Sequence, residues 1–262
     1  MNELVNIENL KLIYQSIDDE TTALENVNLK INKKELISIV GPSGCGKTTI
    51  LSLLAGLITP SEGKITIAGK TPSTKDSLCG YMFQKDNLLP WRSIENNIYF
   101  GLELKKIKTK ERKLYALSLA EKYGLKDFLK KHPSELSGGM RQRVAFIRTL
   151  ALKPEILLLD EPFSALDYQT RLELCDHLFE IIKKEEKTAI LVTHDIMEAI
   201  SMSDRIVVLS ARPGTIKAIH KTNFNKNETP FNRRKTEKAK LLFDTIWQEI
   251  QNEKKDKFQQ KS

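Results

Sequence analysis

The sequence predicts an α/β fold on a mostly parallel sheet, with an antiparallel β part at the N-terminus and a helical subdomain inserted midway. Three observations predict it. Short apolar runs alternate with amphipathic stretches; between about residues 87 and 152 the strand signal gives way to helical spacing; after Pro154 the alternation resumes. In order, strands are expected over 6–14, 23–31 and 35–40, a helix over 46–57, and strands over 64–68 and 79–83. Within the helical stretch, Leu114, Leu117 and Ala120 give a lysine-rich surface helix one apolar stripe. Then come a strand over 156–160, a helix over 168–184, a strand over 189–193, a helix over 196–202 and a strand over 205–210. Leu172, Cys175, Phe179 and Ile182 share one face of the 168–184 helix, which puts Cys175 in the core. The organisation expected is one domain over 1–222, with the helical subdomain at about 87–152, followed by a basic helical extension over 223–262. There Leu242, Phe243, Ile246, Trp247 and Ile250 form the stripe that docks the extension.

Composition narrows the function. Of 262 residues, 40% are hydrophobic and 29% charged, an ordinary globular balance. No apolar run approaches the roughly 18–20 residues that span a bilayer, and the start, Met1-Asn2-Glu3-Leu4-Val5, lacks the pattern of a secretion signal. A cytosolic chain is expected, reaching a membrane only through a partner. Cys45, Cys79 and Cys175 are odd in number and unrelated in spacing, which fits neither a zinc site nor a disulfide framework. Of the net charge of +8, 13 Lys and Arg against 6 Asp and Glu from Ala211 onward supply +7. A basic tail of this kind reads as a solvated helix face, and no nucleic-acid partner is expected.

Gly41-Pro42-Ser43-Gly44-Cys45-Gly46-Lys47-Thr48-Thr49 fits G-x-x-x-x-G-K-[ST], placed after an apolar strand and opening a helix. Glycines let backbone N–H groups converge on an anion at the helix N-terminus. Lys47 reaches the β- and γ-phosphates and Thr48 ligates Mg²⁺ in this chemistry. The positive field of Lys47 and the helix N-terminus favours a thiolate at Cys45. Ile156-Leu157-Leu158-Leu159 is a buried strand ending in Asp160 and Glu161. Successive residues of an extended chain point opposite ways, so Asp160 suits Mg²⁺ and Glu161 the attacking water. Leu136-Ser137-Gly138-Gly139-Met140-Arg141-Gln142 opens a helix with a hydroxyl and two glycines. It reads either as a second anion-binding helix N-terminus or as an ordinary Ser N-cap.

Together these motifs resemble those of ATP-binding cassette proteins, over residues from about 6 to 214 and in the family's order. The resemblance makes Leu136–Gln142 the signature, with Leu136, Ser137, Gly138, Gly139 and Gln142 at its positions, Gln84 the glutamine loop and a further Mg²⁺ ligand, Ser164-Ala165-Leu166-Asp167 the D-loop, and His194 the switch histidine. Tyr14 matches the aromatic that stacks on adenine, against the alternative of plain packing. It implies a P-loop NTPase fold, ATP and Mg²⁺ as cofactors, and a head-to-tail homodimer. One chain offers two phosphate-binding helix N-termini, and Ser137 with its glycines then caps the γ-phosphate held by the other copy. There are departures: Lys34 stands where the family has glycine, which suggests a small backbone adjustment, and Ile147-Arg148-Thr149 replaces the usual small residues beside the arginine. Leu88-Leu89-Pro90-Trp91-Arg92, Gly138-Gly139-Met140-Arg141-Gln142-Arg143 and Ser210-Ala211-Arg212-Pro213-Gly214 together resemble the importer branch for nitrate, sulfonates, taurine and related solutes, including pyrimidine precursors. That branch implies permease subunits, an extracytoplasmic solute-binding protein acting indirectly, and a peripheral place on the cytoplasmic face of the membrane. Leu89 and Trp91 are the expected permease contacts; the other reading packs Trp91 in the subdomain core. Cassette ATPases of exporters and of soluble assembly machines remain the functional alternatives.

Overall fold

The computed structural model describes residues 3–15, 19–74, 78–164, 166–225 and 227–259, with side chains through Glu253. In chain order the elements are β1 (Glu3–Gln15), β2 (Glu20–Asn32), β3 (Leu36–Val40), α1 (Lys47–Leu54), β4 (Glu62–Ile67) and β5 (Cys79–Met82). Then come α2 (Ile94–Leu104), α3 (Lys110–Lys122), α4 (Gly138–Leu150), β6 (Ile156–Asp160), α5 (Tyr168–Lys184) and β7 (Thr188–Val192). The chain ends with α6 (Ile196–Met202), β8 (Arg205–Leu209), β9 (Ile216–Lys221), α7 (Pro230–Arg233) and α8 (Glu237–Gln259). Contacts divide the chain into two units, Met1–Asp76 with Cys175–Ser262, and Ser77–Leu174.

In the first unit β1 lies between β2 and β4 in an antiparallel sheet. Beyond Leu4 its buried residues are Val5 and Ile7, then Leu10 and Leu12, so the alternation changes phase. The cause is a bulge between Ile7 and Leu10, where Asn9 takes φ 47°; one extra residue restores the inward face. β7, β3 and β8 run parallel, and β9 closes the edge antiparallel to β8. β3 and β7 are buried throughout, as strands of a covered parallel sheet must be. β9 was not expected from sequence: Ile216 and Ala218 are only half-buried, and Ile219 is exposed on the same face as Lys217 and Lys221, a weak signal from a short edge strand.

The first helix is shorter than the 46–57 expected. Gly56 has φ 68°, its N–H donates to Leu53 O (3.1 Å), and Leu57 N–H donates to Ser52 O (3.0 Å). This is a Schellman stop, and glycine is what allows it. At Lys34 the backbone does not adjust away from the glycine conformation; it holds φ 62°, with the Lys34 N–H donating to Thr188 Oγ1 at 2.8 Å. The extension packs Ala239, Ile246 and Ile250 against Ile196, Ile200 and Val208. Trp247 is not in that seam; it is exposed and stacks on Phe243 with centroids 6.0 Å apart. Arg233 anchors the extension from inside, donating to Ser201 O (3.1 Å) and Asn225 O (3.0 Å) with its guanidinium over Phe179. Cys175 is fully buried, as its helical face requires.

In the second unit β5 and β6 pair in parallel, and α2, α3 and α4 pack together. Gly80 of β5 admits this packing: a Cβ there would stand 2.7 Å from Thr149 Cγ2 and 2.8 Å from Pro154 Cγ. The three helices begin at Ser93, Thr109 and Ser137, each of whose hydroxyls accepts a first-turn N–H. The stripe of α3 differs from the expected one. Ala116, Leu119 and Ala120 are buried, whereas Leu114 is exposed, because small residues at 116 and 120 let the backbone come closer along that line.

Candidate nucleotide-binding site

In the first unit β3 feeds directly into the glycine-rich loop. Gly44 (φ 75°) and Gly46 (φ 99°) occupy left-handed conformations that side chains resist, and a Cβ on Gly46 would meet Leu24 Cδ2 at 2.6 Å. A side chain at either position would therefore distort the cradle. Lys47 opens α1 and is buried, its Nζ donating to Gly41 O and Pro42 O, each at 2.9 Å. Ser43 and Thr48 are exposed and Pro42 is buried. Tyr14, half-exposed on β1, shares a 3.3 Å hydrogen bond between its hydroxyl and Thr49 Oγ1, beside the first turn of α1.

Cys45 corrects an expectation. The thiol is buried, and that burial raises its pKa above the ordinary value even though Lys47 nearby works the other way. It is a packed thiol, not an activated one, because desolvation of the anion outweighs the local field. His194, exposed at the end of β7, stands in a braced turn. Thr193 Oγ1 donates to Glu198 Oε2 (2.6 Å), and Asp195 Oδ1 caps α6 by accepting from Met197 N–H (2.8 Å) and Glu198 N–H (3.0 Å).

In the second unit β6 ends at Asp160, which is buried and accepts from the Tyr81 hydroxyl at 3.2 Å. Glu161 then turns the chain with φ 46°. Gln84 Nε2 donates to Glu161 Oε2 (3.3 Å) and to Ser164 Oγ (3.2 Å), so the glutamine and the second acid are in contact. Of the D-loop, Ala165 lies outside the described residues. Asp167 Oδ1 accepts from Thr170 N–H at 3.0 Å, and the Thr170 hydrogen bonds hold its carboxyl below the usual value.

Ser137 caps α4, its hydroxyl accepting from Met140 N–H at 3.3 Å, so the capping reading of this serine is realised within one chain. Leu136 before it is buried. Gly139 answers a close approach, since a Cβ there would stand 2.7 Å from Thr170 Cγ2. Sequence reasoning missed what the rest of this helix does. Gln142 Nε2 donates to Gln84 O (3.3 Å), Arg141 Nε pairs with Asp86 (3.0 Å), and Arg148 donates to Asp86 O (2.6 Å) and Asn87 O (2.8 Å). Burial lowers the pKa of Arg148, with Asp86 opposing. The available signal was Arg148 lying seven residues after Arg141, on the same helical face.

Leu89 and Trp91 follow on a stapled loop. Buried Asn97 accepts from Leu89 N–H (2.7 Å) and donates to Leu89 O, Arg92 O and Ser93 O. Trp91 projects from it 72% exposed and does not pack the subdomain core; Leu89 is half-buried. Nearby, Tyr81, Phe83, Asn87, Phe100, Arg148 and Leu152 line a cleft of about 250 Å³.

A strand that runs into a glycine cradle, with a buried lysine opening the next helix, defines a P-loop nucleotide-binding protein. The ABC transporter family model matches residues 24–164, and the chain belongs to that family as an ATP-binding subunit. It is 49% identical over 247 residues to the uncharacterized ABC transporter ATP-binding protein YtlC of Bacillus subtilis (strain 168), covering 94% of this chain and 95% of the relative. It is 40% identical to the nitrate import ATP-binding protein NrtD of Synechocystis sp. (87% of this chain, 86% of the relative). It is 43% identical to the taurine import ATP-binding protein TauB of Escherichia coli (strain K12) (74% and 76%). Among solved structures, the dimeric post-hydrolysis state of the ATP-binding cassette MJ0796, bound to ADP and Pi, superposes with a TM-score of 0.71 at 32% identity. It covers 85% of this chain and all of that one.

The residues fit a nucleotide with Mg²⁺. The cradle has no room for side chains at Gly41 or Gly46, where a Cβ would meet Leu209 O at 2.9 Å and Leu24 Cδ2 at 2.6 Å. Thr48 in the first unit and Asp160 in the second are each hard oxygen donors of the kind Mg²⁺ takes. Among the described residues no group of three or more His, Cys, Asp or Glu is gathered as a self-sufficient metal site. Likewise no described helix is long and apolar enough to cross a membrane.

Proposed function

We propose that the chain is the ATP-hydrolysing subunit of an importer for a small solute of the nitrate, sulfonate, taurine or pyrimidine-precursor kind. It would act as a head-to-tail homodimer at the cytoplasmic face of the membrane. The observation that carries the importer reading is the likeness to nitrate and taurine import ATP-binding proteins over 87% and 74% of the chain. The partners are permease subunits and, through them, an extracytoplasmic solute-binding protein.

In this reading the loop of residues 41–49, through the backbone N–H groups of all but Pro42, and Lys47 hold the phosphates, and Tyr14 stacks on the base. Thr48, Asp160 and Gln84 hold Mg²⁺, whose chemistry is to neutralise charge on the phosphates. Glu161 accepts the proton of the attacking water and His194 hydrogen-bonds the γ-phosphate. Ser137, Gly138 and Gly139 cap the γ-phosphate of the other copy, since a helix N-terminus whose first turn carries no acidic side chain favours an anion. Asp167 serves at the junction between copies.

Support for a permease contact comes from the exposed Trp91 on its stapled loop, beside the aromatic cleft. Exposed aromatic anchors dominate interface energetics. The test is purification of the tagged full chain from detergent-solubilised membranes. Co-purification of a permease is expected, as is its loss in Trp91→Ala with basal ATPase and melting temperature retained. Recovery of a soluble scaffold instead, or a Trp91→Ala chain that melts several degrees lower yet still binds permease, would overturn the assignment.

A further inference from the structure

Residues 210–214, after β8, form a bracket pressed onto the phosphate loop. Gly214 N–H donates to Ala23 O (2.9 Å) and Gly214 O accepts from Glu25 N–H (3.1 Å), fixing the bracket to β2. A Cβ on Gly214 would lie 2.0 Å from Cys45 O, so at this point the two backbones touch. Ser210 Oγ braces the bracket internally, accepting from Thr215 N–H at 2.9 Å. From the bracket Arg212 reaches over the loop, its Nε donating to Gly44 O at 3.2 Å. At the far side the bracket is tied to the C-terminal helix: Ala211 N–H donates to Glu253 Oε2 at 3.1 Å, and Glu253 also pairs with Lys217.

Pinning one carbonyl has a defined effect on the neighbouring amide. A trans peptide is planar, so the carbonyl of Gly44 and the N–H of Cys45 point opposite ways. With the carbonyl drawn out by Arg212, the Cys45 N–H faces the inside of the loop, where it donates to Pro42 O at 3.3 Å. Inward-facing amides are what such loops offer to phosphate. We infer that Arg212 is a positioning residue for nucleotide phosphates, and that Glu253 of α8 holds the bracket that carries it. This rests on the nucleotide-binding reading above, and it gives the C-terminal extension a task beyond covering the sheet.

The test uses the full chain, with dissociation constants measured for Mg-ATP and for adenosine. Arg212→Ala is expected to weaken Mg-ATP by about 5–20-fold, a part of the worth of one backbone N–H bond to a charged phosphate oxygen, with adenosine binding unchanged. KM for ATP should rise with it, kcat should stay within about twofold, and the melting temperature should hold. Arg212→Lys, which keeps a cationic donor, should restore part of the affinity, and Glu253→Ala should shift Mg-ATP affinity in the same direction by less. Wild-type Mg-ATP affinity in Arg212→Ala overturns the inference. So does a loss that comes with an equal loss for adenosine or a melting temperature several degrees lower, since either makes Arg212 a fold residue. A wild-type chain with no Mg-ATP affinity would overturn the nucleotide reading itself, and this inference with it.

Discussion

Replacing Glu161 by glycine should make the protein slightly more stable while removing its chemistry. Glu161 turns the chain at the end of β6 with φ 46°. A side chain in that left-handed region costs about 1–2 kcal/mol. Glycine relieves this but loses about 0.5–1 kcal/mol through the extra freedom of the unfolded chain. The hydrogen bond from Gln84, long at 3.3 Å and exposed, contributes about 0.5 kcal/mol at most. The balance leaves Glu161→Gly about 0.5 kcal/mol more stable, a rise in melting temperature of about 1–2 °C. Phosphate release at saturating Mg-ATP should fall about 100–10,000-fold, the contribution of a general base. Glu161→Gln is the control: it keeps the strained backbone, so it should lose turnover equally and melt within about 1 °C of wild type. Stability by calorimetry and turnover by phosphate release would thus move in opposite directions in one variant only. A Glu161→Gly chain that melts several degrees lower would show that the side chain supports the fold. Hydrolysis within tenfold of wild type would remove Glu161 as the base.

Two other outcomes can be checked with the same preparations. Ser137→Arg should lose its helix cap, about 1 kcal/mol, yet bind Mg-ATP as a monomer normally while failing to form an ATP-dependent dimer in light scattering; lost monomer binding would contradict a role toward the other copy. Burial raises the Cys79 thiol from 9.0 to about 12. Between about pH 9 and 12 the unfolded chain therefore holds fewer protons at this site, and stability falls with rising pH by about 1.4 kcal/mol per unit. Cys79→Ala should remove that part of the slope in urea titrations at pH 9.5 and 10.5; identical slopes would mean that the thiol ionises normally in the folded chain.

The parallel strands were legible because each is a short apolar run bounded by turns, as in Ile156–Asp160, where expectation and structure share both ends. β9 was not, because an edge strand with Lys217 and Lys221 on its open face lacks that signal. The phosphate loop could be read residue by residue, since its chemistry demands glycine and lysine at fixed spacing. The state of Cys45 could not: motif context supplies the positive field, but only three-dimensional packing shows the burial that outweighs it. Arg212 and Glu253 illustrate the same limit, because their partners, Gly44 O and Ala211 N–H, are backbone groups 168 and 42 residues away. A backbone partner leaves no trace in residue type.

Much of the grip on residues 84–93 is a grip on main-chain atoms. Gln142, Arg148 and Asn97 bind the backbone of residues 84, 86, 87, 89, 92 and 93, while Gln84, Asp86 and Arg92 are also held through their side chains, by Glu161 with Ser164, by Arg141 and by Glu103. A path fixed in this way is indifferent to those of its side chains that project into solvent. The exposed Lys85 and Trp91 could be exchanged without redrawing the loop. The scaffold could thus be refitted to a different partner by substitution at these positions, its course and its attachment to α4 unchanged.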